Sequence, residues 1–237
     1  VLITKNINGK LDLVDAQKCV DYHVADNHLV LPGAVYISQA TEMGTVYKLE
    51  ELKKIRQFCD KNDLYLFLDG ARLAQGLTSK YTDIKPEDIA KYTDLFYIGA
   101  TKTGSPIGEA LVINNKNLGK NFIRHMKQKG SVLAKGKILG ICFCELFKDN
   151  LFFKLGQHAN KMAEKLYESL KDTRVKFSER VESNQIFIEM NEKQINSLRE
   201  KYDFSIEKIL NEEISMVRFV TSWATQEDKV DELIEDL

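Results

Sequence analysis

Apolar residues along this chain follow two different rhythms, and the change from one to the other divides it. In the front half, short and nearly continuous apolar runs occupy residues 34–40 (AVYISQA), 64–70 (LYLFLDG), 94–100 (DLFYIGA) and 109–114 (EALVIN). Between the first two lies residues 48–62 (KLEELKKIRQFCDKN), where Leu49, Leu52, Ile55, Phe58 and Cys59 recur at helical spacing with charges elsewhere. A shorter helix is expected to open at Pro86, a favoured first helical position, and to run to Tyr92. Strands that are apolar on both faces and separated by helices predict a parallel sheet covered on both sides.

Residues 115–171 read instead as successive helices, and residues 135–147 (KGKILGICFCELF) are apolar enough to predict a largely buried one. Strand-like stretches follow at 174–178, 184–191 and 215–223, with a charged helix at 192–202 between the last two. A final helix is expected to open with a capping box formed by Thr225 and Asp228. It carries Val230, Leu233, Ile234 and Leu237 on one face. The pattern predicts an α/β domain over residues 1–140 and a small α+β domain over residues 141–237.

Composition narrows the classes of partner. The 237 residues are 43% hydrophobic and 29% charged, with a net charge of -1, so bulk electrostatics gives no case for nucleic acid or an anionic membrane. No apolar run approaches the roughly 20 residues that span a bilayer. The opening VLITKNINGKLD lacks the three-part pattern of a signal peptide. Cys142 and Cys144, two apart, would point about 200° apart on a helix, and Cys19 and Cys59 stand alone, so reduced thiols and a cytoplasmic location are expected.

Two strand ends carry the candidate chemistry. The run at 64–70 leads into LDGARLAQG, which places Asp69 and Arg72 just past its carboxyl end. The run at 94–100 leads into GATKTG, which places Lys102 at the equivalent point one crossover later. In open parallel sheets ligands bind at those carboxyl ends, so a carboxylate, a guanidinium and an amine are expected to converge there. Singly, each has a plainer reading: Asp69-Gly70 as turn chemistry, Lys102 as a loop lysine. GATKTG is not a Walker loop, because its glycines are wrongly placed around the lysine. Gln39, Thr41 and Glu42 end a strand at the same rim. Lys135 precedes a helix, and the four histidines (His23, His28, His125 and His158) show no metal-ligand spacing.

Taken together, LDGAR at 68–72 and GATKTG at 99–104 resemble the pyridoxal-phosphate (PLP) enzymes of the threonine aldolase and β-eliminating lyase family, closest to its phenylserine aldolase branch. The resemblance extends over residues 35–52 (VYISQATEMGTVYKLEEL) and 216–234 (MVRFVTSWATQEDKVDELI). It implies an α/β fold of the aspartate-aminotransferase type, a mostly parallel sheet flanked by helices plus a small C-terminal α+β domain. Lys102 then matches the lysine that binds the cofactor aldehyde covalently, and Asp69 the carboxylate that pairs with the pyridinium nitrogen. Arg72 matches the arginine beside cofactor and substrate, and Arg218 the clamp on the substrate carboxylate; an ordinary ion pair is the alternative for Arg218. Thr101 is a candidate donor to the phosphate.

The implied reaction is retro-aldol cleavage of a β-hydroxy-α-amino acid, of threonine or phenylserine type, to glycine and an aldehyde. The rivals are PLP-dependent β-elimination and a non-catalytic relative. A homodimer or homotetramer with a small amino-acid substrate is implied as well. In the family, the phosphate loop and a ring-stacking histidine lie in a long stretch before a strand like AVYIS. Here only 33 residues precede that strand, so the resemblance covers the latter two-thirds of such an enzyme.

Overall fold

The computed structural model describes residues 1–237. A small hairpin of β1 (Asn6–Ile7) and β2 (Lys10–Leu11) leads into α1 (Leu13–Ala25), whose first turn is capped by the Asp12 carboxylate accepting from the Val14 and Asp15 N–H groups. Then come β3 (Ala34–Ser38), α2 (Leu49–Lys61), β4 (Tyr65–Asp69), α3 (Leu73–Leu77), α4 (Pro86–Tyr92), β5 (Leu95–Gly99) and β6 (Glu109–Ile113). Each of the four apolar runs forms a strand, and both expected helices form. The helix α1 was not expected: it buries only Ala16 and Val20 and leaves Val14, Tyr22 and Val24 exposed, so its periodicity is weak.

The first sheet runs β3-β4-β5-β6. Its first three strands are parallel, with Ser38 opposite Asp69. Strand β6 is antiparallel to β5, because residues 100–108 are too few for the crossover that a parallel partner needs. Strand alternation sends Ile37, Leu66, Leu68 and Phe96 to one face, where they form a core with Ala16, Val20, Leu52, Ile55 and Phe58. The other face carries Tyr36, Phe67, Tyr97 and Leu111. Helices do not fully cover it: Tyr36 is 57% exposed and Leu111 39%. The sheet is flanked by helices as expected, with this second face partly exposed. The second face is apolar because it holds an aromatic row, in which Tyr36 meets Phe67 edge-on at 5.2 Å and Phe67 meets Tyr97 at 6.2 Å.

Helices α5 (Lys116–Gly119), α6 (Phe122–Gln128), α7 (Lys137–Phe147) and α8 (Leu151–Leu170) follow. Contrary to expectation, α7 is mostly exposed. Only Leu146 is buried, while Ile138, Ile141 and Phe147 face solvent. Hydrophobicity alone predicted burial, but the single stripe that meets the core is narrow. No helix is long and apolar enough to cross a membrane.

The remainder is β7 (Lys176–Phe177), β8 (Gln185–Asn191), α9 (Glu192–Arg199), β9 (Ser205–Ile209), β10 (Ile214–Val220) and α10 (Glu227–Asp236). The strands form an antiparallel sheet, β7-β8-β10-β9. The edge strand β9 escaped sequence reading because all but its first residue is exposed. The expected capping box on α10 does not form. Thr225 Oγ1 instead accepts from the Ser222 N–H at 2.8 Å, and Gln226 takes the cap position. A second core gathers Met162, Ala163, Leu166 and Leu170 of α8 with Ile186, Ile188, Val217, Phe219, Val230 and Leu233. Phe152 of the same helix belongs to the first core, so the change of core falls inside α8.

Candidate active site

Asp69 ends β4 and points to the open face of the sheet. Its Oδ1 accepts from the Ala71 N–H at 2.8 Å, a local turn that the Asp-Gly dipeptide favours. Its Oδ2 accepts from the Tyr36 hydroxyl of the neighbouring strand. Gly70 follows because nothing larger fits: a Cβ there would lie 1.9 Å from the Tyr97 carbonyl oxygen. The Gly99 N–H donates to the Gly70 carbonyl at 2.9 Å and ties the ends of β4 and β5 together.

Beyond β5 the chain makes a single 3₁₀ turn, Thr101–Thr103, closed by Gly104 in the left-handed region at φ 95°. Lys102 sits in this turn, with its backbone carbonyl held by the Gln75 side-chain amide at 3.2 Å. Partial burial and the nearby Arg72 guanidinium lower the proton affinity of the Lys102 amine, against the pull of Glu42, Asp69 and Glu109. Arg72 stands at the start of α3. Its own pKa is lowered by burial and by Arg218, with Glu42, Asp69 and Glu207 opposing. The glutamate across the turn, Glu109, is raised by burial, with the Thr101 hydroxyl and Lys102 opposing.

Arg218 lies in β10 of the second sheet and comes within electrostatic reach of Arg72. Its Nη2 pairs with Glu207 at 3.1 Å and its Nη1 donates to Gln185 Oε1 at 3.4 Å, while its Nε is buried without a partner. A bulge makes this possible. Met216 pairs with Lys208 and Val217 with Ile206, so Glu207 is the extra residue of β9, turned toward the arginine. Gln185 also donates to the Thr41 carbonyl at 2.9 Å, which couples the arginine to the loop after β3.

The structure therefore brings Lys102, Asp69, Arg72 and Arg218 into one electrostatic neighbourhood. Glu42 joins them. Gln39 and Thr41 do not: both are buried, Gln39 accepting from the Tyr47 N–H at 2.9 Å and Thr41 meeting the Thr45 hydroxyl at 2.7 Å. The Thr101 hydroxyl donates to Glu109 Oε1 at 3.4 Å. Lys135 is exposed, and His158 meets the Thr225 carbonyl at 2.8 Å. Sequence reading missed Tyr36, Tyr97, Glu109, Glu207 and Gln185 as members of the site. Strand alternation would have put Tyr36 and Tyr97 on the Asp69 face, given the register. Glu207 required the bulge.

Residues 1–193 match the model of the family described as beta-eliminating lyase. A low specificity L-threonine aldolase of Pseudomonas aeruginosa is 32% identical over 219 residues, covering 90% of this chain and 61% of that protein. The chain thus spans about three fifths of the length of that relative. The solved structure of a Leishmania major threonine aldolase superposes with a TM-score of 0.92 at 42% identity, covering 96% of this chain and 66% of that one. An aminotransferase from Staphylococcus aureus, only 13% identical, superposes with a TM-score of 0.66 over 91% of this chain and 60% of its own, which speaks for the fold alone. The fold expected from the resemblance, an aspartate-aminotransferase-type α/β fold with a mostly parallel sheet flanked by helices and a small C-terminal α+β part, is the one found, the C-terminal sheet being antiparallel. With a family model matched over most of its length, the chain belongs to the beta-eliminating lyase family.

Proposed function

We propose that this chain carries the lysine, carboxylate and arginine machinery of a PLP-dependent lyase that cleaves a β-hydroxy-α-amino acid, of threonine or phenylserine type, to glycine and an aldehyde. The observation that carries the reading is the placing of Asp69 at the end of β4, Arg72 at the start of α3 and Lys102 in the turn after β5, at strand ends tied by the Gly99 N–H to the Gly70 carbonyl at 2.9 Å, with Arg218 within electrostatic reach of Arg72. The donor set fits the cofactor. A neutral amine can attack an aldehyde, a carboxylate can pair with a ring nitrogen, and the Arg72 guanidinium, which forms no ion pair within the chain, leaves hydrogen-bonding capacity for an anion.

Lys102 would hold the cofactor aldehyde and Asp69 the ring nitrogen. When bound, PLP supplies an electron sink for the carbanion left at Cα. Arg218, with Arg72 beside it, binds the substrate carboxylate through its planar fork and so fixes the amino acid in one orientation. Asp69, set against the ring nitrogen, would favour the protonated form of the ring by charge pairing. Cleavage of the Cα–Cβ bond, with loss of the β-hydroxyl proton, releases the aldehyde, and a proton returned to Cα gives glycine.

The description of the matched family supports a second reading, β-elimination. Product analysis with PLP and threonine or phenylserine separates the two. The proposal expects glycine with acetaldehyde or benzaldehyde; a 2-oxo acid with ammonia supports the second reading, and no turnover supports a non-catalytic relative.

A homodimer or homotetramer and a cytoplasmic setting belong to the same reading. The exposed apolar residues Ile138, Ile141 and Phe147 of α7 support the first, and four unpaired cysteines the second. Sedimentation of the purified protein tests the assembly.

A further inference from the structure

Asp69 is not left to orient itself. Its Oδ1 is fixed by the Ala71 N–H, and its Oδ2 by the phenol of Tyr36, which reaches up from one pleat lower on β3. Extending the β4–β5 register, Phe67 with Leu95 and Leu68 with Phe96, brings Tyr97 level with Asp69 on the other side. The ring of Phe67 fills the space between the two phenols. The carboxylate is thus backed by a tyrosine from each neighbouring strand.

We propose that Tyr36 is a positioning residue for Asp69, holding the carboxylate so that its remaining lone pairs meet the ring nitrogen of the cofactor, with Tyr97 in a supporting place. The inference rests on the PLP reading and deepens it. Electrostatics agrees with the geometry. Burial and the hydrogen bond to Asp69 push the Tyr36 phenol up to about 12, and burial and Asp69 also push Tyr97 up, so both stay protonated donors at neutral pH. A hydrogen bond to a charged acceptor is among the stronger kinds and restricts the rotation of the carboxylate. Neither phenol needs to touch the reacting carbon of the substrate.

Tyr36 is exposed and lies in a surface row, so Tyr36→Phe removes one hydroxyl while keeping the ring on Phe67. The test compares dissociation constants of PLP and of its 1-deaza analogue, in which carbon replaces the ring nitrogen, for the unmodified protein and Tyr36→Phe. Positioning through the nitrogen predicts PLP affinity weakened about tenfold and affinity for the deaza analogue unchanged. Equal weakening of both would mean a general structural role and overturn the proposal; so would no weakening of either. Tyr36→Phe in an Asp69→Ala background should add no further loss, and an undiminished loss there also overturns it. If the unmodified protein binds neither compound, the PLP reading itself falls, a result distinct from the others.

Discussion

Lys102 carries a proton less readily than a free lysine because burial and Arg72 both penalise its ammonium form. The sign fixes an experiment. A lowered pKa means that the neutral amine accumulates at lower pH, so Lys102 should react with acetic anhydride at lower pH than a free lysine amine, whose pKa is about 10.4. Replacing Arg72 by Gln should move its midpoint upward; peptide mapping across a pH series reads both. Arg218 gives a second prediction. Lysine there keeps the charge but loses the fork, so Arg218→Lys should raise KM for the amino acid about tenfold or more, with a smaller effect on kcat. Lys102, Asp69, Arg72 and Arg218 were all visible in the sequence, because each ends or interrupts an apolar run where burial makes charge conspicuous. Glu42, held only as a secondary candidate, is within electrostatic reach of Lys102 and Arg72. Gln39 and Thr41 are buried instead, and a polar residue at a strand end has the same sequence signature whether it faces a cleft or closes a loop.

At the scale of elements, Asp94 shows how the strand order is held. It precedes β5 and accepts from Arg56 of α2 at 2.6 Å, from the Leu66 N–H of β4 at 2.7 Å and from the Asn115 amide at 3.0 Å. Burial would raise this carboxyl, but the hydrogen bonds from Asn115 and Leu66 and the Arg56 pair hold it below its ordinary value. Asp94→Ala leaves the Arg56 guanidinium with only Asp60 and the Leu64 carbonyl, and removes the acceptor of the Leu66 N–H, so it should destabilise the fold by about 2 kcal/mol. Because the folded pKa is depressed, that contribution is complete above the unfolded value of about 3.9 and is lost as pH falls through the folded one. Denaturation of both proteins should therefore show a gap that narrows in acid. The strands and α2 were legible because runs and helical spacing are local signals. The open sheet face, the exposed α7 and the edge strand β9 were not, since each depends on which neighbour covers a surface.

Across the whole molecule, α8 joins two cores, with Phe152 in one and Met162, Ala163 and Leu166 in the other. Hydrogen bonds also link the two sheets: Ser183 Oγ donates to the Gly44 carbonyl at 2.7 Å, and Gln185 to Thr41. This coupling predicts cooperative unfolding of both units. Trp223, the single tryptophan, lies against Gly104 beside the Lys102 turn, so its fluorescence reports the junction. Leu166→Ala, in the second core, should cost about 3 kcal/mol and shift the fluorescence and far-ultraviolet dichroism transitions together. Separate transitions would mean that the units unfold independently. The alternation of β with α, then helices, then β with α made the fold class readable; the helix α8 shared by the two cores was not, because a change of core inside a helix leaves no break in periodicity.

The central claim is that the Lys102 amine is the group that binds the cofactor aldehyde. Borohydride reduction of the protein in the presence of PLP, followed by peptide mapping, tests it directly. A single stoichiometric label on Lys102, lost in Lys102→Ala, is the expected result. Label on another lysine, or none, would contradict it.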